Sequence, residues 1–292
     1  MAIDDLTANV RAAPARSAQR FRRALKHCLL LALGLVMLYP LLWMISASFK
    51  PSDEIFSSAS LLPEAFTFSN YVEGWNAFGL SFGQLFLNSI IITSLCIVGN
   101  LVACSLAAFA FARLNFPLKK FWFAAMLLGI MLPYHVVIVP QYILFDFFGW
   151  INTVLPLVVP KFLATDAFFV FLMVQFVRAL PRELDDAAEV DGCGPFRTYW
   201  NVLMPLTLPA LATTAAFTFI WTWNDFLTPL IYLTDPSLYT VPLGLNAFSD
   251  ATGASSWGPM FAMATLSLGP VLGFFIAAQK YLVRGIATTG LK

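Results

Sequence analysis

Titratable chemistry is scarce in this sequence. Only 11% of its 292 residues are Asp, Glu, Lys or Arg, and the histidines number two, His27 and His135. A catalytic or metal site needs a cluster of titratable side chains, and membrane haem proteins generally need paired axial ligands; two separated histidines supply neither. No Gly-Lys pair occurs anywhere, which rules out the phosphate-cradling pattern G-x-x-x-x-G-K-[ST]. If ATP drives this protein, another polypeptide binds it. Four cysteines are present: Cys28, Cys96 and Cys104 fall in apolar runs and Cys193 in a polar loop, so no extracytoplasmic pair exists to form a stabilising disulfide. The expectation is therefore no catalytic residue, no metal site and no cofactor held by this chain.

What is abundant is apolar surface. Hydrophobic residues make up 59% of the chain, and the mean hydropathy is +0.77. Such a chain needs lipid as its solvent. Runs of about 20 apolar residues, long enough to cross the hydrocarbon core, recur at 28–48, 85–112, 121–145, 154–177, 206–233 and 260–282. They lack the period-two alternation of a barrel strand, and open strands cannot satisfy their backbone in lipid. The predicted fold class is an all-α integral membrane protein of six transmembrane helices. Its organisation reads as an N-terminal arm (1–27), a first helix (28–48), an outer loop (49–84), a core (85–282) holding a cytoplasmic loop at 179–204, and a C-terminal tail (283–292). Ser46-Ala47-Ser48 resembles a signal-peptide cleavage site, but the apolar region before it exceeds the roughly 7–15 residues of a signal core, so a retained helix is expected.

Charge placement sets the orientation, because basic residues in short loops stay on the cytoplasmic side. The N-terminal arm carries Arg11, Arg16, Arg20, Arg22, Arg23 and Lys26. With that arm inside, Arg113, Lys119 and Lys120, then Arg178, Arg182 and Arg197, and finally Lys280, Arg284 and Lys292 also fall inside. Lys50 and Lys161 are left on the outer half, among Asp53, Glu54, Glu64, Glu73, Asp146, Asp235 and Asp250. Both termini are expected in the cytoplasm. The net charge of +1 is near balance and carries no sign of a nucleic-acid partner.

Ionisable groups inside a span are costly and often functional. Lys161 and Asp166 sit toward the outer part of the fourth run, and Asp225 closes Trp221-Thr222-Trp223-Asn224-Asp225 in the fifth. One reading makes Lys161, Asp166 and Asp225 part of a hydrophilic translocation path, with Trp221, Trp223 and Asn224 beside Asp225 as a cluster that could line it for a polyol. The other makes Lys161 and Asp166 a mutual contact and Asp225 the cap of a broken helix. His27 is read as interfacial and His135 as a packed or kink-associated ring beside Pro133-Tyr134.

The polar stretch between the fourth and fifth runs carries the most information. After Pro181 come Glu183, Asp185 and Asp186, whose charges suit the positive end of a short helix. Leu184, Ala187, Ala188 and Asp191 share one face by three-and-four spacing, and the small side chains leave a shallow surface on which a partner can dock. Gly192 stands where a left-handed helix stop is expected, and Gly194-Pro195 opens a second helix. The product is a helix-turn-helix elbow outside the membrane, which could equally be a tight connector.

Asp186-Ala187-Ala188, three residues, Gly192, nine residues, then Val202 and Met204-Pro205 closely resembles the loop signature of permease subunits of ATP-binding cassette (ABC) importers, E-A-A, three residues, G, nine residues, I-x-L-P. Asp186 stands for the usual glutamate, Val202 for isoleucine and Met204 for leucine. The likeness extends over nearly the whole chain and is greatest to the carbohydrate-importer permeases, in the half related to the maltose-system G subunit. Ser48-Phe49-Lys50-Pro51, Asn70-Tyr71, Ala110-Phe111-Ala112-Arg113, Trp223-Asn224-Asp225 and Gln279-Lys280-Tyr281 through Arg284-Gly285 look like further landmarks of that group.

The resemblance implies a type I ABC importer permease fold in a bacterial inner membrane. Two permease subunits would form the pore, an ATPase dimer holding ATP and Mg would sit beneath, and an extracytoplasmic binding protein would deliver a carbohydrate or related solute. Asp186, Ala187, Ala188, Gly192 and Pro205 would then belong to the loop that couples to the ATPases. A self-contained ion- or proton-coupled carrier is the rival; it would show several intramembrane carboxylates and inverted repeats, neither of which is evident.

Overall fold

The computed structural model describes residues 16–57, 60–77, 79, 81–249 and 256–289, with the side chains of all of these except 16–21 and 280–289. Arg11, Asp250 and Lys292 lie outside the described residues, as do the side chains of Arg16, Arg20, Lys280 and Arg284. Backbone groups in lipid must find partners within the chain, and helices provide them: among the described residues there is no strand. The order is α1 (Arg16–Ala47), α2 (Ser69–Trp75), α3 (Phe82–Arg113), α4 (Lys119–Met131), α5 (Tyr134–Phe147), α6 (Leu155–Val158) with a 3₁₀ turn (Val159–Leu163), and α7 (Ala167–Ala179). It continues through α8 (Glu183–Val190), α9 (Pro195–Arg197), a π turn (Thr198–Leu203), α10 (Met204–Leu206), α11 (Leu208–Trp223), α12 (Leu227–Tyr232), a 3₁₀ turn (Pro236–Leu238), α13 (Val241–Ala247) and α14 (Trp257–Thr289).

Four helical stretches among the described residues are long and apolar enough to cross a membrane: α1, α3, the stretch Leu155–Ala179 and α14; two bent pairs, α4 with α5 and Pro195–Leu206 with α11, bring the number to six when each is counted as one span. The helices outrun several expected ends: the first begins at Arg16 rather than at 28, and the last continues to Thr289 rather than 282.

The larger departure is continuity. The run 121–145 reads as one helix, yet α4 and α5 meet at 106°. Leu132, forced out of the helical region by the proline that follows it, is extended (ψ 123°), and Pro133 has no N–H to carry the ladder on. The run 154–177 divides at Ala164, which is left-handed (φ 55°), before Asp166 caps α7. The run 206–233 stops at Trp223, where the Asn224 amide donates to the Ile220 carbonyl (2.7 Å), and resumes as α12.

The long helix α3 is the axis of the molecule and packs most extensively against α7 and α11. Its N-terminal end joins Phe82 and Leu85 to Phe219, Trp223, Val241 and Met263. Its middle joins Cys104 and Ala108 to Phe169, Met173 and Ala210, and its C-terminal end joins Phe109 and Ala112 to Val177, Tyr199 and Leu203. In contrast, α1 presents Leu30, Leu31, Leu35, Val36 and Met37 outward, the face of a helix whose surroundings are lipid or another membrane chain.

Two of the sequence landmarks meet in the outer loop. Asn70, buried, donates from one amide to the carbonyls of Ser48 (2.9 Å) and Lys50 (2.8 Å), while the Ser48 hydroxyl bonds that of Tyr71 (2.8 Å). A side chain at Gly258 would collide with Asn70, its Cβ falling 2.3 Å from Oδ1. The start of α14 can therefore close over this knot.

Candidate functional site: a polar elbow and a cavity among the spans

The stretch after Pro181 folds as α8, with Glu183, Asp185 and Asp186 in its first turn. At its other end the Cys193 N–H reaches the Ala188 carbonyl (2.8 Å) and the Gly192 N–H reaches that of Glu189 (2.9 Å). This pair of bonds with Gly192 at φ 76° is a complete Schellman stop. Pro195 then opens α9 at its first position. The expected face divides: Ala188 is buried and Leu184 half-buried, whereas Asp186, Ala187, Asp191 and Gly192 are exposed. Ala188 is thus spent on the chain's own packing, and the outward surface is carried by Asp186, Ala187 and Val190, the last 88% exposed. Pro205 is exposed and lies in α10, separated from α8 by α9 and the π turn.

A residue from another element holds the elbow. Arg113, the last residue of α3, places Nε 2.9 Å from Asp185 Oδ2 and donates from Nη2 to the carbonyls of Leu180 (2.9 Å) and Pro181 (3.4 Å). From sequence, Arg113 is one of several cations expected on the cytoplasmic side and the last residue of the Ala110-Phe111-Ala112-Arg113 landmark; its pairing with Asp185 has no signal. Within the π turn the Tyr199 hydroxyl bonds Ser105 of α3 (2.8 Å), tying the second arm of the elbow to the same helix.

The second feature is a cavity of about 320 Å³ walled by the breaks in the spans, among them Leu132, Tyr134, Lys161, Asp166, Thr222 and Asp225. Lys161 donates to both Asp166 oxygens (3.0 and 2.9 Å), and the Asn100 amide donates to Asp166 Oδ2 (2.7 Å) and to the Thr218 hydroxyl (3.1 Å). Asp225 Oδ1 accepts from the Thr228 N–H (3.0 Å), capping α12 after the break, and the Thr228 hydroxyl bonds that of Tyr134 (2.9 Å). Of the four residues expected to act together, Trp221 and Asp225 line the cavity. Trp223 is instead buried in the core, stacked on Phe219 at 5.7 Å between centroids, and Asn224 is occupied with Ile220. His27 donates to the Arg23 carbonyl (2.7 Å), and among the described residues no three His, Cys, Asp or Glu side chains converge as a metal site would require.

Residues 99–288, which include the elbow and most of the cavity wall, match the family described as the binding-protein-dependent transport system inner membrane component. The chain belongs to this family. The permease is 36% identical over 254 residues to the probable ABC transporter permease protein YurM of Bacillus subtilis, covering 87% of this chain and 83% of that one. It is 32% identical over 261 residues to the trehalose/maltose transport system permease protein MalG of Thermococcus litoralis, with 89% and 93% covered. The solved structure of a bacterial ABC transporter involved in import of the acidic polysaccharide alginate superposes with a TM-score of 0.79 over 91% of the permease and 98% of that chain, at 20% identity. The permease therefore has the type I ABC importer permease fold.

Proposed function

We propose that this permease is one of two pore subunits of an ABC importer that carries a carbohydrate or related polyhydroxylated solute into the cell by alternating access. The observation that carries the reading is the elbow. A short helix, stopped by Gly192 in the left-handed region and tied to α3 through Arg113, is a rigid body on the outside of the bundle. Asp186, Ala187, Val190 and Gly192 form the surface offered to an ATPase subunit, Ala188 seats the helix against its own bundle, and Pro205 begins the arm that leads displacement back into α11. Closure of an ATPase pair around ATP and Mg, neither held by this chain, would push α8 and swing the spans attached to it.

The carbohydrate part of the reading is supported by what the relatives are named for: trehalose and maltose in Thermococcus litoralis, diacetylchitobiose in Streptomyces coelicolor and galactooligosaccharides in Bacillus subtilis. Trp221 and Asp225 would face the solute, with Trp223 and Asn224 holding the helix break that aims Asp225. The charge pattern supports a location in the bacterial inner membrane with both termini cytoplasmic, and an extracytoplasmic binding protein would deliver the solute.

The test is purification of the tagged chain in mild detergent from its native chromosomal locus, with mass spectrometry of every co-purifying protein and assay of ATP hydrolysis. An ATPase and a second permease are expected, with hydrolysis stimulated by the solute-loaded binding protein. Recovery of this chain alone under several gentle conditions would sink the reading.

A further inference from the structure

Helix interruptions at membrane depth are tolerated only where the freed backbone is buried in protein or lines a water-filled space. Three interruptions surround the 320 Å³ cavity: Leu132 and Tyr134 flank the first, Lys161 and Asp166 the second, and Thr222 and Asp225 the third. In transporters, discontinuous helices meeting near the midplane mark solute sites. Independently, two wall residues, Tyr232 (1% exposed) and Thr240 (4% exposed), have hydroxyls with no hydrogen-bond partner. Leaving a buried hydroxyl unbonded costs roughly 1–3 kcal/mol, so these groups call for an occupant that bonds them. Trp221 and Phe145 also line the wall, and a volume near the small end of the ~300–1,000 Å³ typical of ligand sites suits one or two sugar rings.

The wall also selects by charge. Its ionisable groups are one ammonium, Lys161, and two carboxylates, Asp166 and Asp225. The ammonium is committed to Asp166 through two bonds. The carboxylates precede α7 and α12, where Asp166 accepts from Lys161 and Asn100 and Asp225 accepts from the Thr228 N–H, leaving no free cation among the described residues of the wall for an anionic solute. We propose that this cavity is a station for an uncharged, hydroxyl-rich solute and discriminates against phosphorylated or uronate solutes. The inference rests on the importer reading and names the solute class of that path.

The test uses the assembled importer with Cys28→Ser, Cys193→Ser, Cys96→Ala and Cys104→Ala in this chain, carrying Thr222→Cys or Thr240→Cys. Each thiol is exposed to a cationic methanethiosulfonate, the ethyltrimethylammonium reagent, and to the anionic ethylsulfonate, with and without ATP. Each rate is divided by that reagent's rate with free cysteine. Labelling is expected, with the cationic reagent favoured about tenfold by the net-negative wall. Absence of reaction in every state, or an equal or reversed ratio, overturns the proposal. Should neither variant assemble, Thr165→Cys, exposed on the same cavity wall, is the reporter. In parallel, proteoliposomes are offered radiolabelled maltose, diacetylchitobiose, galactobiose, sn-glycerol 3-phosphate and a guluronate dimer. Uptake of a neutral sugar with both anions excluded supports the proposal, uptake of either anion overturns it, and if none is carried the labelling ratio decides. Failure of the importer reading is separate and visible beforehand, as absence of an ATPase from the purified material.

Discussion

Gly192 stops α8 at φ 76°, and a Cβ built there meets nothing within 4 Å. A substitution is therefore opposed by backbone strain rather than crowding. Holding a non-glycine residue in the left-handed region costs about 1–2 kcal/mol, least for Asn and most for a β-branched residue. Gly192→Asn is expected to keep most transport, while Gly192→Val should lose most uptake and solute-stimulated ATP hydrolysis yet insert and assemble normally. Normal stimulation in the Val variant would remove the turn from the coupling path. Arg113 offers a second residue-scale test. Arg113→Leu removes an ion pair and two carbonyl bonds together, whereas Asp185→Asn leaves the carbonyl bonds to Leu180 and Pro181 in place. Because Asp185 is partly solvated, its loss should cost only about 1 kcal/mol. Limited proteolysis within 179–204 should accelerate strongly in the first variant and slightly in the second; equal rates would mean that Arg113 does not hold the elbow.

The elements divide into those legible from sequence and those that needed coordinates. Apolar length is a local property, so α1, α3 and α14 are visible as runs. The acidic turn, Gly192 and Pro195 mark α8 and its stop by local chemistry as well. The breaks are less visible by hydropathy: a kink at Pro133 and a helix break capped by Asp225 could be weighed from sequence as alternatives, whereas the left-handed turn at Ala164 has no local mark. The Lys161–Asp166 contact, five residues apart, could be weighed from sequence, but Asn100 bonding Asp166 spans 66 positions and leaves no trace in a single chain. The bend between α4 and α5 is itself testable. Spin labels at Trp122 and Phe147, both exposed, would stand about 37 Å apart along a continuous helix at 1.5 Å per residue. A 106° bend brings them well inside that distance. Pro133→Ala restores an N–H and removes the restraint on Leu132, changes of the kind that a proline inside a helix makes worth about 3 kcal/mol. The pulsed dipolar distance should therefore lengthen in this variant while uptake falls; an unchanged distance would mean that the cavity wall, not the proline, dictates the bend.

At the scale of the whole molecule, the fold sharpens the charge asymmetry that orients it. The two cations of the outer half are each engaged: Lys50 donates to the Ser60 carbonyl (2.7 Å) with Glu54 at 3.9 Å, and Lys161 is committed to Asp166. Lys120, Arg178, Arg182 and Arg197 lie in the opposite connections, where retention of positive charge on the cytoplasmic side sets topology. An inverted insertion would carry these groups across the membrane while gaining no compensating cation on the inner side. The expected outcome is a single orientation, which the chain's own chemistry can report. With Cys28, Cys96 and Cys104 replaced, native Cys193, partly exposed beside the elbow, should resist the membrane-impermeant ethylsulfonate reagent in intact cells and react once the membrane is opened. A thiol placed at Ser57 in the outer loop, in a chain also lacking Cys193, should react without permeabilisation. Reaction of Cys193 in intact cells would put the elbow outside, out of reach of any cytoplasmic ATPase, and both the coupling assignment and the inward direction of transport would fall together.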